Sequence, residues 1–404
     1  MLLILFGAAI YGRTLRYASN WSSLIGFGCL AQGPCLATAN RAGLPHSAIV
    51  FQTGGYDGQF FYYMANQLAN RHAARLDDPV LRWSRPGWPV LLAPFARWGG
   101  PQGLLVAMIS LPILLHFGLL WFLLATIPKH AGLPNADFYL LLALYALHPV
   151  FWLGSQLATA DGIATDLMLV AIIVVWQSSA RRSQRLGPSG PALGYLTGLL
   201  LASLAVLTKE SAALYLALFF TLPGLMLRQR LILAGLPAMV LISWWAWIGF
   251  TPLGQAALHA TGPGESLWAW LAGSSGLFTG TALSLLWVAV FGLLLCTLSI
   301  QSWQAQQGFP GLWIGILILL GGSLFLLLMA GPEYYQNYAN LARIASPLAG
   351  ILFLLAFLTN RRGPLFQTRT ARIAFMLAVF VQLAWNWWAW RDIFRGGPLP
   401  YVIW

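Results

Sequence analysis

Charged side chains are scarce in this chain: they make up 8% of its 404 residues, whereas hydrophobic residues make up 59%. A soluble domain carries roughly a quarter charged residues, so this composition excludes a soluble globular fold. Long apolar runs recur from Gly103 to Trp390. Their residues do not alternate between apolar and polar as the strands of a membrane barrel would, which leaves helices as the spanning structure. The composition therefore predicts an all-α, polytopic integral membrane protein.

Several motifs are also absent. The sequence has no Walker loop, no His-Glu-x-x-His segment, no Cys-x-x-Cys pair and no internal repeat, so nothing in it indicates ATP hydrolysis or a zinc site. The net charge of +12 comes largely from arginine clusters between apolar runs, which is typical of cytoplasmic loops and not of a nucleic-acid partner. Of the three cysteines, Cys296 lies in an apolar run. Cys29 and Cys35 share the first polar loop, where an oxidising compartment would permit a disulfide without requiring one.

Eleven membrane-spanning helices are predicted, beginning with a short apolar helix over about residues 1–11. The other ten are predicted at about 103–127, 137–154, 160–179, 192–207, 211–227, 231–249, 280–300, 310–330, 343–359 and 371–390. With the N-terminus in the cytoplasm, Lys129 and the arginine clusters at 181–185, 228–230 and 361–372 all fall on the cytoplasmic side. This topology requires a helix break near Thr208-Lys209-Glu210-Ser211.

The first loop is the longest polar segment of the chain, covering residues 18–100 without a clean apolar span. Within it, apolar and polar residues of 58–76 separate onto two sides of a helix. That pattern predicts an amphipathic helix in the membrane interface, and a second interfacial helix is predicted over 88–98. The whole chain, 1–404, is expected to form one domain, with this external loop and a transmembrane core over 103–390.

Acidic residues gather on one side of the membrane in this topology. Asp137 falls inside, and Asp166 lies about 7 Å deeper than Asp161 at 1.5 Å per residue. The other acids of the ten in the chain fall on the outer side: Asp57, Asp77, Asp78, Asp161, Glu210, Glu265, Glu333 and Asp392. Because ionisable residues near a membrane are costly and tend to mark function, this distribution predicts a polar site on the outer face.

Asp57 is the candidate catalytic residue. It lies between glycines and aromatic residues, in the stretch Gly54-Gly55-Tyr56-Asp57-Gly58-Gln59-Phe60. A carboxylate in a partly desolvated pocket can act as a general base, with Tyr56 and Gln59 beside it as substrate-binding residues. An aspartate just before a helix can also be its N-cap, and one residue can serve both purposes.

Other acidic residues and a lysine are candidates for substrate contacts. Asp161 begins a predicted helix, where it can bind substrate or cap the helix. Asp166 lies within the span, where it can bind substrate or a neighbouring helix. Lys209 is one of two lysines in the chain; it can bind a phosphate at the membrane surface or form an ion pair with Glu210, itself a candidate substrate-binding residue.

Three arginines, Arg82, Arg85 and Arg343, fall on the outer side, where the positive-inside rule does not favour them. The planar guanidinium group can bind two oxygens of a phosphate, which makes these residues candidates for binding a lipid phosphate. Snorkelling to lipid headgroups is the alternative. A polar cluster that includes Glu333 and Asn337 precedes Arg343 and can bind a sugar or a diphosphate.

These features resemble the GT-C superfamily of polytopic glycosyltransferases, which use polyprenyl-phosphate-linked sugars on the outer face of the membrane. The resemblance rests on a first helix followed by a long external loop with a carboxylate. It also rests on three short motifs: Gly55-Tyr56-Asp57-Gly58-Gln59-Phe60, Thr159-Ala160-Asp161-Gly162 and Leu207-Thr208-Lys209-Glu210. It covers about residues 1–345 and points to a bacterial branch of the superfamily.

The resemblance implies transfer of a sugar from a polyprenyl-phosphate donor to a lipid or glycan acceptor. It implies a bacterial inner-membrane location with the active site facing the periplasm, Asp57 as the base, and Lys209, Arg343, Arg82 and Arg85 as residues that bind the lipid phosphate. Some members hold a divalent metal with several acids. Because Asp57 stands alone in its motif, no metal or other cofactor is expected here.

Two other functions fit a polytopic membrane protein with a polar site. A transporter or lipid flippase would place its site near the bilayer midplane, and only Asp166 lies toward that depth. A polysaccharide polymerase or ligase would share the chemistry, but its large external loop is expected late in the chain, whereas here the longest loop comes first. Glycosyl transfer is therefore the favoured prediction.

Overall fold

A computed structural model describes residues 2–29, 35–52, 55–70, 74–126, 136–183, 189–250, 292, 310–329, 342–362, 369–395 and 401–403. Within these ranges the protein is mostly helical, as predicted. The helices are α1 (Leu2–Leu15), α2 (Leu36–Ala39), α3 (Gly58–Asn70), α4 (Pro79–Trp83), α5 (Gly87–Thr126), α6 (Ala136–Ala146), α7 (Pro149–Leu157), α8 (Asp161–Ser183), α9 (Ser189–Thr208), α10 (Leu216–Thr221), α11 (Leu227–Gly249), α12 (Pro310–Met329), α13 (Ser346–Arg362) and α14 (Arg369–Arg395). Short 3-10 turns cover Trp21–Leu24, Arg41–Gly43 and Glu210–Tyr215.

Several of these helices are apolar enough to cross a membrane, in agreement with the predicted membrane class. Four segments have the length and hydropathy of a full span: Gly87–Ala125, Phe138–Leu157, Asp161–Ser179 and Leu227–Gly249. Shorter apolar helices coincide with other predicted spans. The predicted span over 280–300 lies outside the described residues except for Gly292, so the total of eleven stays a prediction.

Helix α5 is long and changes direction at Gly100. That residue has φ +60° and ψ −161°, a conformation that favours glycine because it has no β-carbon. Pro101 follows and has no N–H to donate, so the helical hydrogen bonding is interrupted at the same place. The bend divides α5 into a short arm over 87–99 and an apolar part over 101–126, which coincide with the short helix and the span predicted there.

The predicted helix break after α9 is present. Helix α9 ends at Thr208, Lys209 has an extended backbone with φ −154° and ψ 125°, and Glu210 begins a 3-10 turn. The break therefore places the side chains of Lys209 and Glu210 at the junction of two apolar segments, outside a regular α-helix.

Helix α3 is more deeply buried than its sequence predicts. An amphipathic helix in the membrane interface was predicted over 58–76. Every residue from Gly58 to Ala65 is buried, so the prediction is wrong for this part of the helix. Some of its polar groups are paired inside the protein: the Tyr62 hydroxyl lies 3.0 Å from the carbonyl oxygens of Gly43 and Pro101. Helix α3 packs against α5, and this packing fixes the loop that carries Asp57.

A two-stranded sheet joins the first loop to the C-terminal segment and was not predicted. Strand β1 (Ile49–Phe51) pairs antiparallel with strand β2 (Tyr401–Ile403). Tyr401 also packs edge-on against Tyr17, with 5.4 Å between the ring centroids. The pairing places the first loop and the segment after α14 on the same side of the molecule. The even number of predicted spans between them requires that arrangement.

Replacing Gly58 with alanine should destabilise the fold beside Asp57. A β-carbon on Gly58 would lie 2.8 Å from the carbonyl oxygens of Ile25 and Leu157, so backbone would have to move. Overpacking of this kind lowers the free energy of unfolding by about 1–3 kcal/mol. Thermal unfolding in detergent measures the loss. Gly118→Ala in α5 is the matched control, because nothing lies within 4 Å of its added β-carbon. Equal melting temperatures for the two variants would contradict this prediction.

Candidate functional site

Eight charged side chains from distant parts of the chain form one continuous set of ion pairs, here named the charge network. Acids and bases alternate along it in the order Asp77, Arg82, Asp57, Arg343, Asp161, Lys209, Glu210 and Arg85. Four carboxylates and four cations make its formal charge zero. The loop before α3, helix α4, the start of α8, the break after α9 and the segment before α13 all contribute side chains to it.

Asp57 lies in the middle of the charge network and is held from two sides. Arg82 donates from Nη1 to Oδ1 at 3.1 Å, and Arg343 donates from Nη2 to Oδ2 at 2.5 Å. Burial alone would raise the pKa of the Asp57 carboxyl, but the charges of Arg343 and Arg82 outweigh burial and hold that pKa below its usual value. Asp57 is therefore ionised at neutral pH, and arginines engage both of its oxygens.

Arg82 is held in place by a second acid and by an aromatic ring. Its Nε and Nη2 atoms donate to the two carboxylate oxygens of Asp77 at 2.9 and 2.7 Å. Its guanidinium carbon lies 3.8 Å from the centroid of the Phe60 ring, a cation–π contact. These contacts aim Nη1 at Asp57. Neither Asp77 nor Phe60 was predicted as a site residue, because an outer-face acid and an aromatic residue in a helix carry no distinctive signal.

Arg343 connects Asp57 to the first residue of α8. Its Nε atom donates to Oδ2 of Asp161 at 2.9 Å, and the Asp161 side chain is only 2% exposed. Lys209 Nζ lies 3.4 Å from the other oxygen, Oδ1, as an ion pair without hydrogen-bond geometry. A carboxylate this deeply buried is stable only with opposite charges beside it. The N-terminus of α8 adds a favourable dipole.

Glu210 and Arg85 form the far end of the charge network. Arg85 donates from Nε to Oε2 and from Nη2 to Oε1 of Glu210, both at 2.8 Å. Lys209 Nζ lies 3.3 Å from Oε1 of the same carboxylate. The guanidinium group of Arg85 is expected to bind a lipid phosphate, but both of its donating atoms are already paired with Glu210.

Seven of the predicted site residues thus meet in the charge network: Asp57, Arg82, Arg85, Asp161, Lys209, Glu210 and Arg343. The sequence placed them on one face of the membrane but did not predict their pairing. Each of the four cations lies beside at least one carboxylate. If these cations bind phosphate, as predicted, the phosphate has to approach groups that are already in contact with carboxylates.

Tyr56 and Gln59, predicted to bind substrate, both make contacts within the first loop around Asp57. Tyr56 packs edge-on against Phe51, with 6.2 Å between the ring centroids. Gln59 is fully buried, and its Oε1 atom accepts the backbone N–H of Gly28 at 3.2 Å. Both contacts position the loop that carries Asp57, and substrate binding by Tyr56 and Gln59 stays a prediction.

Asp166 lies apart from the charge network, deeper along α8. Its carboxylate is 3.2 Å from Nδ1 of His116 and accepts a hydrogen bond from the Tyr145 hydroxyl. All three side chains are buried, and a cavity borders Asp166 and His116. Asp166 therefore makes the contact to neighbouring helices that was the alternative to substrate binding.

Three further points of the sequence analysis concern Glu333 with Asn337, the two cysteines of the first loop, and metal binding. Glu333 and Asn337, expected to bind substrate, lie outside the described residues. Cys29 and Cys35 form a disulfide in the first loop. In the part of the chain that the structure describes, no group of three or more His, Cys, Asp or Glu side chains is arranged to hold a metal ion.

Two tryptophans of α11 hold the end of α4 and the turn that follows it, a stretch that carries Arg82 and Arg85 of the charge network. Trp244 donates from Nε1 to the carbonyl oxygen of Trp83 at 2.7 Å. Trp245 Nε1 lies 3.4 Å from the carbonyl oxygen of Ser84. Tryptophans near the ends of membrane helices often form an aromatic belt at the membrane surface, which needs no specific partner. The partners of these two are 161 residues away, and no local pattern reveals that contact.

Trp244→Phe should loosen this segment while leaving the apolar packing of α11 largely intact. The variant loses one hydrogen bond, worth about 1 kcal/mol of unfolding free energy, and leaves the Trp83 carbonyl without its donor. Hydrogen–deuterium exchange should rise over residues 79–85. Trp121→Phe in α5 is the matched control, because Trp121 is 73% exposed, whereas Trp247 packs against Trp244 with 5.0 Å between the ring centroids. Equal exchange in the two variants would show that the Trp244 bond does not hold the segment.

No family model, curated protein or solved structure matches this chain. The resemblance to the GT-C superfamily therefore rests on the sequence alone, and the geometry of the charge network carries the functional argument. Chemically, the network joins an ionised carboxylate, which can accept a proton, to guanidinium groups, which suit phosphate oxygens.

Proposed function

We propose that this protein is a membrane glycosyltransferase that moves a sugar from a polyprenyl-phosphate donor to a hydroxyl group of a lipid or glycan acceptor. The observation that carries the proposal is the position of an ionised carboxylate, Asp57, between Arg82 and Arg343 at one end of a set of apolar helices. Such a transfer needs a base for the acceptor, cations for the departing phosphate and apolar surroundings for the lipid.

In the proposed reaction the acceptor hydroxyl attacks the anomeric carbon from the side opposite the phosphate. Asp57 takes the hydroxyl proton as the acceptor oxygen bonds to the anomeric carbon. The bond between that carbon and the phosphate oxygen breaks, and the phosphate leaves with the electron pair and a second negative charge. A single displacement of this kind inverts the configuration at the anomeric carbon.

The arginines suit the departing phosphate because negative charge grows on it as the bond breaks. A guanidinium group offers two parallel N–H donors to phosphate oxygens, and donors already aimed at a developing charge typically contribute about 10²–10³-fold each to the rate. Arg343 and Arg82 are the main candidates, since both touch Asp57 directly. Lys209 adds a further positive charge on the other side of Asp161.

The disulfide between Cys29 and Cys35 supports a site on the outer face. Disulfides persist in oxidising compartments such as the bacterial periplasm, and this one lies in the same loop as Asp57. The arginine clusters at 181–185 and 361–372 are favoured on the opposite, cytoplasmic side. Both observations support a bacterial inner-membrane protein whose site faces the periplasm.

The proposal is tested with purified protein in phospholipid vesicles. Polyprenyl-phosphate-linked sugars that accumulate in a deletion strain are identified by mass spectrometry and offered as donors, with cell-envelope glycolipids as acceptors. We expect release of free polyprenyl phosphate that depends on the acceptor. Absence of release from every accumulated donor, with protein that is folded and monodisperse, would overturn the proposal.

The buried cluster of Asp166, His116 and Tyr145 favours a second candidate, a lipid transporter, because ionisable groups at membrane depth often line transport paths. The same vesicles distinguish the two functions. A transporter would move a labelled lipid-linked sugar between leaflets without cleaving it, and Asp166→Asn would abolish that movement. A glycosyltransferase would cleave the donor whether or not lipid moves.

A further inference from the structure

Asp57 occupies a position that is built like an anion-binding site. The two N–H groups that hold it come from Arg82 and Arg343, and each of these arginines is fixed by another carboxylate. Asp77 holds Arg82 through two hydrogen bonds, and Asp161 holds Arg343 through one. If the Asp57 carboxylate moved away, both arginines would keep a partner and would still direct an N–H into the same space.

An incoming phosphate has to exchange with one of the four carboxylates, because every cation of the charge network already lies beside an acid. Asp161 is poorly placed to leave, since its side chain is 2% exposed. Glu210 is more exposed, at 33%, but it accepts both hydrogen bonds of Arg85 at 2.8 Å and is the acid of the charge network that Arg85 contacts, so its departure would leave Arg85 unpaired within the network. Asp57 makes a single hydrogen bond to each arginine, and its side chain is 23% exposed. Asp77 contacts Arg82 alone, so its departure would free only one arginine. Asp57 is therefore the partly exposed carboxylate whose departure frees an N–H group of two arginines while each of them keeps another acid.

We propose that the Asp57 carboxylate occupies the binding site of the donor's phosphate until the donor arrives, so that phosphate binding releases Asp57 to act on the acceptor. Asp77 and Asp161 are then positioning residues, which keep the two arginines in place during the exchange. This inference rests on the proposed function, and it adds an order of events: the base becomes available only after the lipid phosphate is bound.

The exchange balances in charge. A phosphodiester that links a polyprenyl chain to a sugar carries one negative charge, the same as the carboxylate it replaces. Without arginine contacts, Asp57 loses the charges that hold its pKa low and becomes a stronger base. Keeping the base paired with arginine in the absence of donor also prevents it from acting on water or on an acceptor alone.

The test compares phosphate affinity in variants that each remove one negative charge from the charge network. Farnesyl phosphate is titrated against the purified protein in detergent, with tryptophan fluorescence as the signal, and inorganic phosphate and farnesol are the comparison ligands. In wild type, farnesyl phosphate can bind only while the Asp57 carboxylate is out of the site, so the apparent affinity falls in proportion to the fraction of time that the site is free. Asp57→Asn should therefore bind farnesyl phosphate about tenfold tighter or more. Glu210→Gln should change the affinity by less than about twofold, since it frees cations at the far end.

Asp77→Asn should change the affinity for farnesyl phosphate in the opposite direction, making it weaker. It also removes a negative charge, so simple electrostatics predicts tighter binding. Loss of the bonds that orient Arg82 predicts weaker binding and a raised KM with little change in kcat, and Asp77→Glu should restore part of the affinity. Equal tightening in Asp57→Asn, Glu210→Gln and Asp77→Asn would show a general effect of charge and overturn the proposal.

Further outcomes are equally decisive. Unchanged or weaker binding of farnesyl phosphate by folded Asp57→Asn would overturn the exchange. If that variant melts early, Asp57→Glu replaces it; because it keeps a competing carboxylate, it should bind no tighter than wild type, and a tenfold gain would contradict the inference. Binding of inorganic phosphate as tight as that of farnesyl phosphate would overturn the assignment to a lipid phosphate. Tighter binding by Asp57→Asn in a protein that transfers no sugar would leave the exchange standing and remove only the glycosyltransferase proposal.

Discussion

Asp57→Asn should lower kcat for sugar transfer by about 10²–10⁴-fold, the range that general-base catalysis contributes. The amide has nearly the shape of the carboxylate but cannot take the proton of the acceptor hydroxyl. It can still accept a hydrogen bond from Arg82 or Arg343, so the loop should keep its place. Release of polyprenyl phosphate from the donor identified in the deletion strain, measured at saturating donor, reports this loss directly.

Asp78→Asn is the matched control for that variant. Asp78 lies in the same loop and outside the charge network, where its side chain caps α4 by accepting the backbone N–H of Leu81 at 3.0 Å. Asparagine caps a helix about as well as aspartate does, so this variant should retain full activity. A folded Asp57→Asn protein with more than about a tenth of the wild-type kcat would rule out Asp57 as the base.

The meeting of Asp57, Lys209 and Arg343 at one site was predictable from the sequence because charge constrains membrane topology strongly. Arginine clusters fix which ends of the helices face the cytoplasm, and the acids then fall at the opposite ends. The break at Lys209 followed from the same parity. These arguments use only the order of charges and apolar runs, so they tolerate errors of several residues in the helix boundaries.

The partners within the site were not predictable in the same way. Arg343 pairs with Asp161 across 182 positions and with Asp57 across 286, and no local period encodes such a contact. Asp77 and Asp78 look alike in the sequence, yet one holds Arg82 and the other caps α4. Because Asp78 is the N-cap residue, its carboxylate turns to the backbone of α4 and Arg82 pairs with Asp77, and the sequence does not show which of two adjacent acids is the cap.

The fold differs from the prediction where polar residues find partners inside the protein. Residues 58–76 have the pattern of a surface helix, but the first two turns of α3 are buried because Tyr62 and Gln59 find hydrogen-bond partners in the first loop. Polarity predicts exposure only when no such partner exists. The same reasoning explains Asp166, whose depth suggested function and whose partners are His116 and Tyr145.

Arg343→Met should lower the free energy of unfolding by about 3–5 kcal/mol, the cost of breaking a buried ion pair by removing one partner. Methionine fills much of the same volume, so the loss comes mainly from charge. Asp161, whose side chain is 2% exposed, would keep only the more distant Lys209, and Asp57 would keep only Arg82. Chemical unfolding in mixed detergent micelles, followed by tryptophan fluorescence, measures the change.

A second substitution separates charge from packing. In Arg343→Met with Asp161→Asn, the buried carboxylate that lost its partner is neutralised, so about 1–3 kcal/mol of the stability should return. Loss of packing alone would make the double variant at least as unstable as Arg343→Met, because both residues would then have been damaged independently. Arg343→Lys should lie between wild type and Arg343→Met, since a lysine supplies the charge but cannot reach Asp57 and Asp161 with a planar fork. That order of stabilities would show that Arg343 joins the first loop to helix α8 through two acids at once.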